Sequence, residues 1–478
     1  MLSQFLEIFA VLIIFSLLSF LFFWLCFRKD TNRAGLASTL LVGVFYFWFP
    51  FLFAVVHLPW AKGLDFTVIA VIYILLWCQF SAGFLKFSKK LPLAKITDFL
   101  NVLSWALVLS AVIPALLKEN ELEQATAESI KKIRSEFKDV KLSTANGRPD
   151  IYYIVVDSFP NPHTLKELFQ YESELVRYLY SKGFTVLDRA VSNHDRTELS
   201  VTSSLNMRLM LDIKNRGVLY QLLQRNELAS LLKSIGYKFV NVSSSWEPTN
   251  FNPYADVNVS NGISNNFNVT LMQMTLLGAF EKSFHLMGNI YRDARLRSVN
   301  DRELIKAIPG PKFVLFHTLL AHPPYFMDEQ GNARYLPPEM ISYEGCPPRD
   351  EYLAQVKFSD RRLIELLDTL LSDTTKYNPI IIIQSDHGTA TQPDVLERSY
   401  INERMRILSA FHLCPPVTAV PPNGISPVNN FRWILDHYFD AKLPLLPDDV
   451  YIAVPFEDGF NPKKVNDMVS FPERGRGK

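Results

Sequence analysis

The chain has 478 residues, 48% of them hydrophobic, and a formal net charge of +1. A balance this close to neutral, with no basic stripe outside a few short loops, excludes a nucleic-acid partner. The apolar content is too high and too unevenly placed for a disordered or purely soluble chain, because nearly all long charge-free runs precede residue 118.

In chain order, residues 2–27, 36–57, 66–85 and 99–117 each supply about the 20 predominantly apolar residues that a bilayer core requires. The first run is too long and too bulky at its end for a cleaved signal peptide. Four spanning helices over 1–117 are therefore expected. Arg28, Lys29 and Arg33 follow the first, and Lys86, Lys89, Lys90 and Lys95 lie between the third and fourth; the loop between the second and third has only Lys62, set against Asp65. Basic short loops stay on the cytoplasmic side, so everything after residue 117 is expected outside, in a periplasmic or equivalent extracytoplasmic space. Residues 118–148, rich in Glu, Lys, Gln and Ala, read as an amphipathic linker helix.

From 149 to 478, apolar runs alternate with helical patterns at Leu165–Lys182, Val218–Ile235 and Arg349–Leu371, which predicts an α/β domain with a mostly parallel sheet flanked by helices. Three runs read as strands buried on both faces: Ile151–Val156, Lys312–Phe316 and Ile380–Ile383. The first closes on Asp157-Ser158, the second gives way to His317 and His322, and the third ends in Ser385-Asp386-His387-Gly388. Ligands bind at the carboxyl ends of strands in such sheets. An Asp, an Asp-His pair and further histidines at those ends make a metal-site constellation, one that suits Zn²⁺ or Mn²⁺ and leaves Mg²⁺ open. Between the first two strands, Ser192 to Met207 is dense in hydroxyls, any of which a bound dication could turn into a nucleophile. Thr197 is favoured because it sits where polar Asn193-His194-Asp195-Arg196 meets an apolar helical pattern from Leu199, and a helix N-terminus there would favour an anion. Cys346 and Cys414 could pair in an oxidising compartment or remain thiols.

This order of parts resembles the alkaline phosphatase superfamily, in particular its membrane-bound sulfatase-like branch of lipoteichoic acid synthases and phosphoethanolamine transferases. The resemblance spans Asp150 to about Arg432. It implies that Asp157, Asp386 and His387 are metal ligands and that Thr197 is the nucleophile and touches the metal. It implies for His322 a role in binding the substrate's phosphate or assisting the leaving group. His317 is either a substrate-side or second-metal residue or a hydrogen-bonded core histidine, and Arg196 either holds a phosphate oxygen or is a solvated surface charge.

The implied activity is metal-dependent transfer of a phospho-alcohol group, of the phosphoethanolamine or phosphoglycerol type, from a membrane lipid to a glycan or lipid acceptor in the cell envelope. Hydrolysis of a phosphate or sulfuric ester and an inactive envelope scaffold are the alternatives. The Cys/Ser-x-Pro-x-Arg motif that sulfatases oxidise to formylglycine is absent from the stretch between the first strand and the His-rich strand, where the nucleophile is expected. Cys346-Pro347-Pro348-Arg349 carries its Arg one position too early and follows the His-rich strand. The first ligand is also Asp157 where the lipid-modifying enzymes commonly present glutamate, which weakens any transfer of their substrate specificity.

Overall fold

The computed structural model describes residues 2–56, 58, 66–260, 274–280, 286–334, 348–372, 378–391, 397–456 and 459–471. The chain divides into two compact units, one built mainly from residues 1–120 and the other mainly from 121 onward.

In the N-terminal unit, helices occupy all four apolar segments: α1 (Leu2–Cys26), α2 (Thr31–Tyr46) with α3 (Trp48–Val56), α4 (Phe66–Phe87) and α5 (Leu93–Phe137). The second segment is thus two helices, bent by 46° at their junction. By length and composition, Thr67–Lys90 and Leu93–Phe137 are each able to cross a bilayer, and the bent pair would make a third span. Their apolar side chains are left exposed, including Leu75, Phe80, Val102, Trp105 and Ile113. Among the described residues no large core of the soluble kind covers them, which is the pattern of helices that face lipid.

The expected separate linker helix over 118–148 is instead the C-terminal part of α5 and ends at Phe137. Leu122, Ile130, Ile133 and Phe137 recur at helical spacing, and they pack into the core of the second unit. The opposite face carries surface ion pairs, Glu123 with Arg225 at 2.7 Å and Lys132 with Asp212 at 2.7 Å. This stretch belongs to the C-terminal domain because its apolar stripe has a protein surface to bury.

The C-terminal domain is built on a seven-stranded sheet of β1 (Ile151–Val156), β2 (Thr185–Val186), β3 (Lys238–Val242), β4 (Val257–Val259), β5 (Lys312–Thr318), β6 (Ile380–Gln384) and β7 (Ser409–His412). Their order is β2-β7-β6-β1-β5-β3-β4. The pairs β4–β3, β3–β5, β5–β1 and β1–β6 are parallel, whereas β7 and β2 pair antiparallel at one edge. All three central strands are buried along their whole length, as wholly apolar runs require. Two predicted helices prove to be broken. Leu165–Lys182 splits into α6 (Pro162–Phe169) and α7 (Glu174–Ser181), and Val218–Ile235 into α9 (Arg216–Gln224) and α10 (Glu227–Ser234), with α8 (Thr197–Leu205) between them. Each break falls on a side chain that caps the next helix: Ser173 accepts from the Val176 N–H and Asn226 from the Ala229 N–H. A small hairpin of β8 (Tyr451–Phe456) and β9 (Gly459–Lys464) completes the domain. Cys414 is buried; Cys346, its expected alternative partner, lies outside the described residues.

Candidate functional site

Placing β1 between β5 and β6 brings three distant strand ends side by side. Asp157 follows β1, and its N–H bonds to Thr318 O at 3.0 Å, extending the ladder by one residue. Ser158 then takes a left-handed conformation, φ +61°, which turns the chain away from the sheet. In that turn its N–H donates to Asp386 Oδ1 at 3.2 Å and its hydroxyl to Asp157 Oδ1 at 3.0 Å.

The exit from β6 is fixed just as tightly. Ser385 Oγ lies 2.7 Å from both Val156 O and His387 O and accepts from the Phe159 N–H at 2.9 Å. Gly388 is required by space. A Cβ there would meet Glu403 O at 2.1 Å, and the Gly388 N–H bonds to Arg404 O at 2.6 Å. Gly388→Ala is expected to destabilise the domain by about 1–3 kcal/mol through overpacking against backbone, visible as a lower Tm; an unchanged Tm would mean the turn is not confined in this way.

Thr197 is the first residue of α8 and is buried. Its Oγ1 lies 3.4 Å from Asp157 Oδ2 and 3.2 Å from His387 Nε2. The His387 Nδ1 sits 3.0 Å from Gly388 O, so Nδ1 carries the proton and the Nε2 lone pair points inward. There it meets Asp386 Oδ2 at 3.1 Å and Asp157 Oδ1 at 3.8 Å. Asp157, Asp386 and His387 each offer a ligand atom, and these atoms lie within 4.8 Å of one another, all buried.

Three groups that accept hydrogen bonds therefore converge in the interior. Asp386 Oδ2 is buried there without a hydrogen-bond partner. Burial, and next the charge of Asp157, push the Asp386 carboxyl well above the ordinary range. Burial also works on Asp157 in the same sense, but His322, His317 and His387 outweigh it and hold that carboxyl low. Burial first, and Arg404 second, hold the His387 imidazole well below its usual pKa. Two interior carboxylates facing a neutral imidazole are costly unless a cation joins them. The donor set of two carboxylates, one imidazole and one hydroxyl fits a divalent metal of the Zn²⁺ or Mn²⁺ kind.

His322 stands at the rim. Its Nε2 is 4.0 Å from Asp157 Oδ1, and its side chain keeps about a third of its surface exposed. His317 lies deeper and is fully enclosed, with Nε2 at 3.3 Å from Asp157 Oδ2, Nδ1 at 3.0 Å from Thr249 Oγ1 and Trp246 edge-on at 5.4 Å. Both of its nitrogens are engaged within the protein, which favours the hydrogen-bonded core alternative. Arg196 precedes α8, and its guanidinium lies 5.1 Å from the Phe460 ring centre, a cation–π contact.

Two arginines that carry no sequence motif also shape the site. Arg295, on the helix Leu286–Asn300, is buried and donates to the carbonyls of His322 at 2.6 Å and Pro323 at 2.7 Å, so it sets the backbone that presents His322. Arg404, on the helix Arg398–Met405, donates to Asp195 O at 2.9 Å and Gly388 O at 3.0 Å, which ties the approach to Thr197 to the Asp-His-Gly turn. Nothing in the local sequence separates these two from ordinary surface arginines. Only the burial of Arg295 and the carbonyl partners of both mark them.

The sequence from 149 to 413 matches the family model described as Sulfatase. The chain belongs to the sulfatase family. Membership makes it an enzyme of the sulfatase-like transferase and hydrolase class. Among solved structures, the sulfatase-family chain is similar to the C-terminal periplasmic domain of EcEptC from Escherichia coli, at 15% identity over 70% of this chain and 96% of that one, with a TM-score of 0.45. It is similar also to the corresponding domain of the phosphoethanolamine transferase EptC from Campylobacter jejuni (15% identity, 63% and 92% coverage, TM-score 0.35). A third is the soluble domain of lipooligosaccharide phosphoethanolamine transferase A from Neisseria meningitidis (13% identity, 63% and 91% coverage, TM-score 0.39). No curated protein matches the sequence.

Proposed function

We propose that this sulfatase-family protein is a membrane-anchored, metal-dependent phosphotransferase that moves a phospho-alcohol group from a lipid donor to a glycan or lipid acceptor of the envelope. The observation that carries the reading is the Thr197 hydroxyl, held at the first turn of α8 between Asp157 and His387. Asp157, Asp386, His387 and Thr197 Oγ1 would hold the metal. When bound, the ion supplies Lewis-acid stabilisation of charge on the phosphoryl oxygens and lowers the pKa of the threonine hydroxyl.

In the first half-reaction Thr197 Oγ1 attacks the donor phosphorus, the bond from phosphorus to the lipid alkoxide breaks, and the headgroup phosphate becomes esterified to the threonine. Asp157 Oδ2, 3.4 Å from the hydroxyl, is an acceptor for its proton. The departing alkoxide needs a proton, and His322 at the rim is suited to deliver it. Added negative charge falls at the N-terminus of α8, where the helix dipole and unpaired N–H groups favour it. In the second half-reaction an acceptor hydroxyl attacks the same phosphorus and loses its proton to His322, the bond from phosphorus to Thr197 Oγ1 breaks, and the proton held by Asp157 returns to the threonine oxygen.

The one Cys/Ser-x-Pro-x-Arg sequence, Ser470 to Arg474, lies in the C-terminal tail and not between β1 and β5 where Thr197 stands, so phosphoryl chemistry through Thr197 is preferred over sulfate-ester hydrolysis. The four apolar segments of 1–117 anchor the enzyme in the plasma membrane, or in the inner membrane of a two-membrane cell. Their basic loops face the cytoplasm, and the catalytic domain of 149–478 lies outside.

The test is mass spectrometry of the purified full chain after incubation with phosphatidylethanolamine or phosphatidylglycerol. A phospho-alcohol adduct on the peptide containing Thr197 is expected, and chelation beforehand should prevent it. An adduct on another residue, or undiminished turnover after full metal removal confirmed by elemental analysis, would overturn the assignment.

A further inference from the structure

The reaction leaves unused a basic pocket in the N-terminal helical unit, and we propose that it binds the phosphate-bearing headgroup of an anionic membrane phospholipid. The inference rests on the membrane-spanning reading proposed above. One wall is the α1–α2 turn, where Arg28 and Lys29 adopt φ of +54° and +70°, a conformation that residues with side chains rarely hold. The other wall is the connection from α4, a single helical turn Ser88–Lys90 followed by Leu91-Pro92, after which α5 begins. The cavity between them measures about 550 Å³ and is lined by Arg33, Lys89, Lys95 and Asp30 together with Ser88 and Pro92. That volume lies within the roughly 300–1,000 Å³ range of small-ligand sites.

Three independent features favour an anion there. Arg33, Lys89 and Lys95 form no ion pair among the described residues, and the Arg33 Nε is buried without a hydrogen-bond partner. The one acid of the lining is already committed, since Asp30 accepts the Arg33 N–H at 3.1 Å as the cap of α2. The long helix α5 begins at the pocket with no acidic residue in its first turn, so its N-terminal N–H groups and dipole add to the positive field.

A lipid is the better occupant than a soluble anion because exposed apolar side chains, Leu25 on α1 and Phe80 and Phe87 on α4, offer a surface for acyl chains. Cationic side chains at the cytoplasmic interface attract anionic lipid in addition to orienting the helices, and each contributes roughly a fivefold preference. The pocket adds a defined place for one phosphate.

The experiment is native mass spectrometry of the full chain in mild detergent, titrated with phosphatidylglycerol or phosphatidylcholine. Wild-type protein is expected to retain phosphatidylglycerol in clear preference. The triple variant R33Q/K89Q/K95Q should bind it about 100-fold more weakly, from three charges at roughly fivefold each. A control that removes three charges elsewhere, K131Q/K141Q/K463Q, should bind it as wild type does. Equal retention of the two lipids, or equal binding by the pocket variant, would overturn the site. Displacement of phosphatidylglycerol by millimolar glycerol phosphate would overturn the lipid assignment in favour of a soluble anion. Release of the wild-type protein from membranes by alkaline extraction would overturn the membrane-spanning reading and this site with it, whereas retention with no lipid preference overturns the site alone.

Discussion

Thr197→Ala is expected to reduce turnover by on the order of 10³-fold or more, the scale on which loss of a covalent nucleophile is felt. The alanine removes one oxygen from a buried position. The fold should tolerate that, because the hydroxyl's contacts are with the site carboxylates Asp157 and Asp386 and with His387, each of which is also held by its own backbone. α8 begins at Arg196 through backbone bonds, with Leu199 and Ser200 N–H groups both donating to Arg196 O, so the helix does not need the threonine side chain. The variant should therefore show a Tm close to wild type, retain metal with weaker affinity and form no phospho-adduct. Unchanged turnover in steady-state assays would sink the assignment of Thr197, and attention would move to Ser192 or Ser200, the neighbouring buried hydroxyls.

The second large effect should come from Asp386→Asn, and it runs in opposite directions with and without metal. Asparagine keeps the shape and leaves Oδ1 to accept from the Ser158 and His387 N–H groups, at 3.2 and 2.8 Å in the native structure. In place of Oδ2 it can present an amide N–H toward His387 Nε2, which Asp386 Oδ2 faces at 3.1 Å in the native protein. One of two buried negative charges also disappears. The metal-free variant is therefore expected to be at least as stable as the metal-free native protein. Added Zn²⁺ or Mn²⁺ should reverse the ranking: at a hundredfold excess over Kd, binding stabilises the native fold by about 2.7 kcal/mol, and the variant should gain little. Metal affinity is expected to fall by more than about 100-fold, beyond the 10–100-fold typical of losing only a supporting hydrogen bond, and turnover should fall with it. Equal metal content in the two proteins by elemental analysis would contradict the proposed ligand set.

Much of this was legible in the sequence, and for a local reason. Ile151–Val156 and Ile380–Ile383 are apolar at every position, which only a strand covered on both faces accommodates, and each ends abruptly in groups that coordinate cations. Thr197 stands at the change from a polar turn to an apolar periodicity, and α8 begins there. The four apolar runs needed only counting. The helix breaks at Ser173 and Asn226 were harder to see, since a single capping side chain inside an otherwise continuous helical pattern decides them.

The sequence by itself therefore determined the inventory: an apolar N-terminal helical region, buried strands, an Asp, an Asp-His-Gly turn and a threonine at a helix start. These are properties of short windows, fixed by side-chain periodicity and by backbone preference. Only the tertiary structure decided that β1 lies between β5 and β6, because the order of parallel strands depends on how long crossover connections pack and not on any one segment. That order brings Asp157 within reach of residues more than 200 positions away. It also directs His387 Nε2 inward through the Gly388 carbonyl, buries His317 against Asp157 and turns Arg295 into the clamp behind His322. Such contacts are made between segments that share no local pattern, and they exist only once the sheet has closed around them.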